Sequence, residues 1–172
     1  ESDISWAPNM DWLVCGGKQC LDSYSNSDSE LNEQDWVRDL VWMSQMPHIL
    51  ILDDWILVHA GLDPNKSLEE QEEKELLWIR EEFHNAKKPV DHRRAVVIGH
   101  SITHTVLGQS IGDIGRSEYR LQDERPLWFG IDTGACDSAS GWLTAMDLNT
   151  GELVQANDAG DTRRKGPAFK RT

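Results

Sequence analysis

Residues 48–64 read His48-Ile49-Leu50-Ile51-Leu52-Asp53-Asp54-Trp55-Ile56-Leu57-Val58-His59-Ala60-Gly61-Leu62-Asp63-Pro64. Two β-rich runs, His48 to Leu52 and Trp55 to His59, are separated only by Asp53-Asp54, which predicts a hairpin. The second run ends in His-Ala-Gly and passes into a loop rich in Gly, Pro and Asn. A further run, Ala95-Val96-Val97-Ile98, has no polar alternation and reads as a short strand buried on both faces. It ends in Gly99-His100-Ser101.

Outward from these strands, Trp36, Leu40, Val41 and Met43 recur at helical spacing and predict a helix from Asn32 to about Met46, stopped by Pro47. The stretch before it, Ser-rich around Ser23 to Ser29, reads as loop with short helical pieces. Ser67 with Glu70 makes a capping box for a helix through the acidic run Glu69 to Glu75, and a second short helix covers Leu76 to Phe83. Residues 102–116 read as a mobile loop. Pro126 to Ile131, Trp142 to Asp147 and Glu152 to Ala156 read as strands, the last two joined by a turn at Asn149-Thr150-Gly151. Residues 1–156 are thus expected to belong to one domain of α/β (α+β) class with a mixed sheet, and the polar, then basic, residues 157–172 to be a frayed tail.

A length of 172 residues suits one domain, and a 38% hydrophobic share excludes a disordered or fibrous chain. The formal charge of −13 argues against wrapping nucleic acid or docking on an anionic membrane. Phosphate chemistry on so acidic a chain needs local positive charge from metal ions or a placed Arg. No apolar run approaches the ~20 residues of a membrane span, and none reads as a secretory leader. Cys15, Cys20 and Cys136 are odd in number and irregularly spaced, which disfavours a disulfide framework or a Cys-based zinc site. The expected compartment is therefore a reducing cytoplasm.

His59 and His100 share one context: each follows an apolar strand and has a Gly within two positions. An imidazole at such a strand end is either a metal ligand, approached closely across small neighbours, or a partner for a loop carbonyl. Arg80, among Leu77, Trp78 and Phe83, points from a fixed base, either to capture a phosphate or to pair with Glu75, Glu81 or Glu82. Asp132, after another apolar strand, is a ligand, a helix cap or, preferably, a loop organiser. His48, His84, His92 and His104 have no matching context, though His104 lies close enough in sequence to His100 to share a pocket. Cys15 and Cys20 have no neighbouring base to activate a thiol.

Taken in order, the segments resemble the C-terminal half of a calcineurin-like metallophosphoesterase, in the PPP-type serine/threonine phosphatase and diadenosine-tetraphosphatase-like branches. The matching pieces are Trp12…Gly16-Gly17…Leu21…Ser23-Tyr24, Val58-His59-Ala60-Gly61-Leu62-Asp63-Pro64 and Leu77-Trp78-Ile79-Arg80-Glu81. They continue with Val97-Ile98-Gly99-His100-Ser101, Gly130-Ile131-Asp132-Thr133-Gly134-Ala135 and Leu143-Thr144-Ala145. The resemblance implies a β-sandwich flanked by helices and a dinuclear centre of two divalent ions (Mn, Fe or Zn) that activates water for attack on phosphorus. It makes His59 and His100 ligands of the second metal and Arg80 the holder of the phosphate oxygens. Asp132 and Gly134 then shape the loop beside the metals. The implied activity is hydrolysis of phosphoric monoesters, preferably on serine/threonine phosphoproteins. The alternatives are a nucleoside polyphosphate such as diadenosine tetraphosphate, or a non-catalytic binding or regulatory remnant of the fold.

The chain departs from the family pattern in lacking the GDxHG, GDxxDRG and GNHE motifs, which supply the first metal's ligands, the bridging Asp and the general acid. Gly112-Asp113-Ile114-Gly115 and Gly160-Asp161-Thr162-Arg163 match them only faintly and in the wrong order. Cys15 and Ser101 stand where Asn and Thr are usual. The expectation is an incomplete enzyme without its N-terminal part. Alone it would bind divalent metal weakly and hydrolyse esters negligibly, unless a second chain supplies the missing half.

Overall fold

The computed structural model describes residues 12–25 and 32–170, so expectations for residues 1–11, for 26–31 of the Ser-rich stretch and for 171–172 lie outside the described residues. The chain divides into two compact units between Met46 and Pro47, where the sequence pattern predicts one domain through residue 156.

In the first unit a π-helical turn, Leu13–Gly17, leads into α1 (Lys18–Ser23), and α2 spans Glu33–Ser44. Asn32 starts α2 as an N-cap, its side chain accepting from the Asp35 amide at 3.2 Å. Trp36 on α2 packs against Trp12 (centroids 6.3 Å) and edge-on to Tyr24 (5.2 Å). The Tyr24 hydroxyl donates to Asp39 at 2.8 Å. Aromatic contacts thus organise a unit whose helices bury no residue fully.

The second unit opens with the hairpin, β1 (Ile49–Ile51) and β2 (Trp55–Val58), closed by Asp53-Asp54 in the register Ile51↔Ile56. Then follow α3 (Glu73–Trp78), α4 (Glu81–His84), β3 (Ala95–Ile98), a short helix α5 (Thr103–Val106), β4 (Gly115–Arg116) and β5 (Trp128–Gly130). The five strands form a mixed sheet in the order β1-β2-β3-β5-β4. β2, β3 and β5 run parallel, while β1 and β4 are antiparallel to their neighbours. β3 lies at the centre and is buried at every position, which explains its uninterrupted apolar run. β6 (Leu143–Met146), β7 (Leu153–Ala156) and β8 (Thr162–Lys165) form a second, antiparallel sheet. The architecture is mixed α and β. Among the described residues no helix is long and apolar enough to cross a membrane.

Three local expectations are corrected. The Ser67–Glu70 capping box forms, but it caps only a 3-10 turn, Leu68–Glu70. A second box between Glu72 and Glu75 starts α3. The helix expected over Leu76 to Phe83 is broken where Ile79 is extended (ψ 144°) and Arg80 leaves the helical region (φ −133°, ψ −93°). Residues 102–116 contain α5 and β4 rather than loop alone.

The described part of the tail, to Lys170, is packed and not frayed. β8 pairs with β7, placing Arg163 opposite Gln155, and Arg163 stacks 3.8 Å over the Trp142 ring. Its Nε donates at 2.7 Å to the buried Gln155 side chain, which in turn donates to Gly112 O (2.8 Å) and Thr144 Oγ1 (2.7 Å). Beyond β8, Phe169 is buried with its ring 5.1 Å from Trp55, so both sheets contribute to one core.

Candidate functional site

The parallel register places Val58, Ile98 and Gly130 in one row across β2, β3 and β5. His59 follows that row by one residue, and His100 and Asp132 by two, so all three leave the same edge of the sheet. The carboxyl edge of parallel strands is where open α/β sheets bind ligands.

The His59 and His100 rings lie side by side, with centroids 4.9 Å apart and planes inclined by 55°. The Gly99 amide donates to His59 O at 2.9 Å, extending the ladder one residue beyond the strands. His100 adopts a left-handed backbone (φ 58°), which costs a residue with a side chain about 1–2 kcal/mol and must be held by its surroundings. Trp78 packs edge-on against its ring at 5.7 Å.

Arg80 occupies the break between α3 and α4 and reaches the His100 loop. Its Nη1 donates to Ser101 Oγ at 2.9 Å and to His100 O at 3.2 Å. Both acceptors are uncharged, and Arg80 makes no ion pair among the described residues; Glu75 pairs with Lys66 at 3.0 Å. Its positive charge is therefore not neutralised locally.

Burial, then the charge of Arg80 and the neighbouring His59, lower the His100 pKa below the ordinary imidazole value. Asp132 and a hydrogen bond with the Trp78 backbone oppose them. The His84 pKa is lowered too, by burial and then by Arg80 and His100. Asp132 organises its loop: Oδ1 accepts from the Gly134 amide at 3.1 Å, and its carbonyl accepts from the Thr103 amide at 2.9 Å. Gly134 takes a left-handed φ of 81°, and a Cβ there would lie 3.0 Å from His104 Cε1. His104 thus sits against the Asp132 loop, while His48 and His92 are exposed.

The imidazole pair fits one side of a metal's ligand set. His100 Nε2 is buried without a hydrogen-bond partner, and adjacent imidazoles suit Mn, Fe or Zn. Among the described residues no group of three or more His, Cys, Asp and Glu is placed to complete a centre. His59 and His100 supply two nitrogen donors, and further donors are needed for tight binding.

Three participants escape sequence inspection. Ser101 anchors Arg80, and Trp78 supports His100. His84 stands four residues after Arg80, a helical spacing that could have linked them. Arg80 and His84 also border a cleft of about 860 Å³ reaching Arg116, Tyr119 and Trp128. No protein-family model, curated protein or solved structure matches this chain.

Proposed function

We propose that the chain carries the metal-binding histidines and the phosphate-holding arginine of a calcineurin-like, metal-dependent phosphoric monoester hydrolase acting on serine/threonine phosphoproteins. One observation carries the reading: the Arg80 guanidinium is hydrogen-bonded to the loop bearing His100, whose ring lies 4.9 Å from that of His59. A mixed sheet accompanied by a three-stranded antiparallel sheet is compatible with the sandwich of that family.

In this reading His59 and His100 hold a divalent cation, which when bound supplies Lewis-acid polarisation of a phosphoryl oxygen. The lowered pKa of His100 keeps its imidazole neutral at pH 7, as a ligand must be. A guanidinium has five N–H donors, and Arg80 uses Nη1 on the His100 loop, leaving others for phosphoryl oxygens. The bonds to Ser101 and His100 fix the guanidinium before substrate arrives, so less side-chain entropy is lost on binding.

Titration of the 172-residue chain with Mn²⁺, followed by imidazole NMR signals, tests the assignment. His59 and His100 should broaden first, and His59→Ala or His100→Ala should remove the effect. Equal broadening of exposed His48 and His92 would overturn it. Arg80→Ala should weaken inorganic phosphate binding while leaving Mn²⁺ binding in place.

A further inference from the structure

The cleft beside Arg80 has features that a single phosphoryl group does not require. Its walls come from Arg80 through Lys87, from Val106 to Gln109, and from Arg116 through Tyr119, with Trp128 behind them. Its three Lys and Arg side chains, Arg80, Lys87 and Arg116, make no ion pair among the described residues. Unpaired cations gathered in one cleft of a chain with net charge −13 are suited to an anionic ligand. The volume of about 860 Å³ is far more than one phosphoryl group fills.

We propose that Lys87 and Arg116 form a second anion subsite in this cleft, which takes an acidic side chain flanking the phosphorylated residue of a peptide held at Arg80. The inference rests on the phosphatase reading above and specifies its substrate. The lining favours a peptide over a nucleotide. Trp128 is only 5% exposed and offers no open face for a base, which leaves Tyr119 as the one accessible ring of the two. Glu81 and Glu118 also line the cleft, and Asn85, Gln109 and Ser117 offer neutral hydrogen-bonding groups to a peptide backbone. β4, which carries Arg116, ends the sheet order, so an extended segment could lie along it.

Fluorescence anisotropy with two labelled phosphoserine peptides, one followed by Asp-Asp and one by Ala-Ala, tests the subsite with Mn²⁺ present. The acidic peptide should bind about three- to tenfold tighter, as expected for two exposed charge pairs, and its advantage should shrink as salt is raised. Arg116→Glu or the double variant Lys87→Ala, Arg116→Ala should abolish the preference, and Arg164→Ala, which lies outside the cleft lining, should retain it. Equal affinity for both peptides, or a preference that survives Arg116→Glu, overturns the subsite and leaves the phosphatase reading standing. Binding of neither peptide overturns both. Tighter binding of ADP than of the acidic peptide, lost in Arg116→Glu, overturns the peptide assignment.

Discussion

Arg80 Nη1 donates to Ser101 Oγ at 2.9 Å, a bond that joins the break between two helices to the first residue beyond His100. Ser101 is fully buried, so its hydroxyl has no water to replace this partner. The pair couples the orientation of the guanidinium to the left-handed turn that presents the imidazole.

Ser101→Ala should therefore act on the site more than on the fold. Loss of one hydrogen bond to a charged donor costs about 1.5–3 kcal/mol, lowering the melting temperature by several degrees for a domain of this size. Inorganic phosphate affinity should fall several-fold because Arg80 keeps only its bond to the His100 carbonyl. Ser101→Thr restores the acceptor and should recover the affinity even if the extra methyl lowers stability. Equal phosphate affinity in Ser101→Ala, read by calorimetry, would show that the bond does not position Arg80.

Acidification should destabilise the second unit in a defined direction. The folded-state pKa values of His84 and His100 lie below the ordinary value, so between each folded value and about 6.5 the unfolded chain binds more protons. Stability then rises with pH through that window: it is fully present above about 6.5 and is lost as pH falls toward the folded values. Melting temperatures across pH should show this slope, reduced in His84→Asn. A flat profile would mean that neither imidazole is held neutral by the fold.

Arg125 is the side chain whose removal should cost the fold most among the charged residues. Only 4% exposed, it donates to Asp54 O at 2.8 Å, Arg93 O at 3.0 Å and Asp123 Oδ2 at 2.7 Å, and its guanidinium lies 4.8 Å from the Trp55 ring centroid. It thereby ties the hairpin turn to the start of β3. Arg125→Ala removes the guanidinium from both carbonyls, leaving Asp54 O to the Ala95 amide at 3.2 Å, and should destabilise by about 2–4 kcal/mol in urea denaturation. A change below about 1 kcal/mol would mean that water replaces the guanidinium at all three acceptors.

The parts of this fold that are legible in sequence depend on local patterning. The hairpin shows because Asp53-Asp54 interrupts two apolar runs, and β3 shows because a central strand needs apolar residues on both faces. β8 does not show, since Thr162 to Lys165 are polar and their packing depends on Gln155 of the preceding strand and on Trp142 and Gly112, which are distant in sequence. The break at Ile79-Arg80 is hidden for a related reason: the Glu72–Glu75 box announces a helix start, but no Gly or Pro marks where that helix ends. His59 and His100 can be singled out from their shared strand-end context. Arg116 and Lys87 cannot, because their proximity to Arg80 arises from the order β3-β5-β4 and from the turn after α4.

The loop after β5 offers a last test, because Gly134 links Asp132 to His104. Its φ of 81° and the 3.0 Å that would separate an added Cβ from His104 Cε1 make an alanine strained on two counts. The left-handed backbone alone costs about 1–2 kcal/mol. Relief would come from moving His104 or rotating the peptide whose amide binds Asp132 Oδ1. Rotation would free the Asp132 carboxylate, one of the groups that raise the His100 pKa, to turn away from the imidazole. Gly134→Ala should then lower both the melting temperature and the His100 pKa, the second read from its NMR titration. Gly134→Ala combined with His104→Ala separates the two routes. If His104 alone is in the way, the double variant should regain the native His100 titration; if the peptide has rotated, the lowered value should persist.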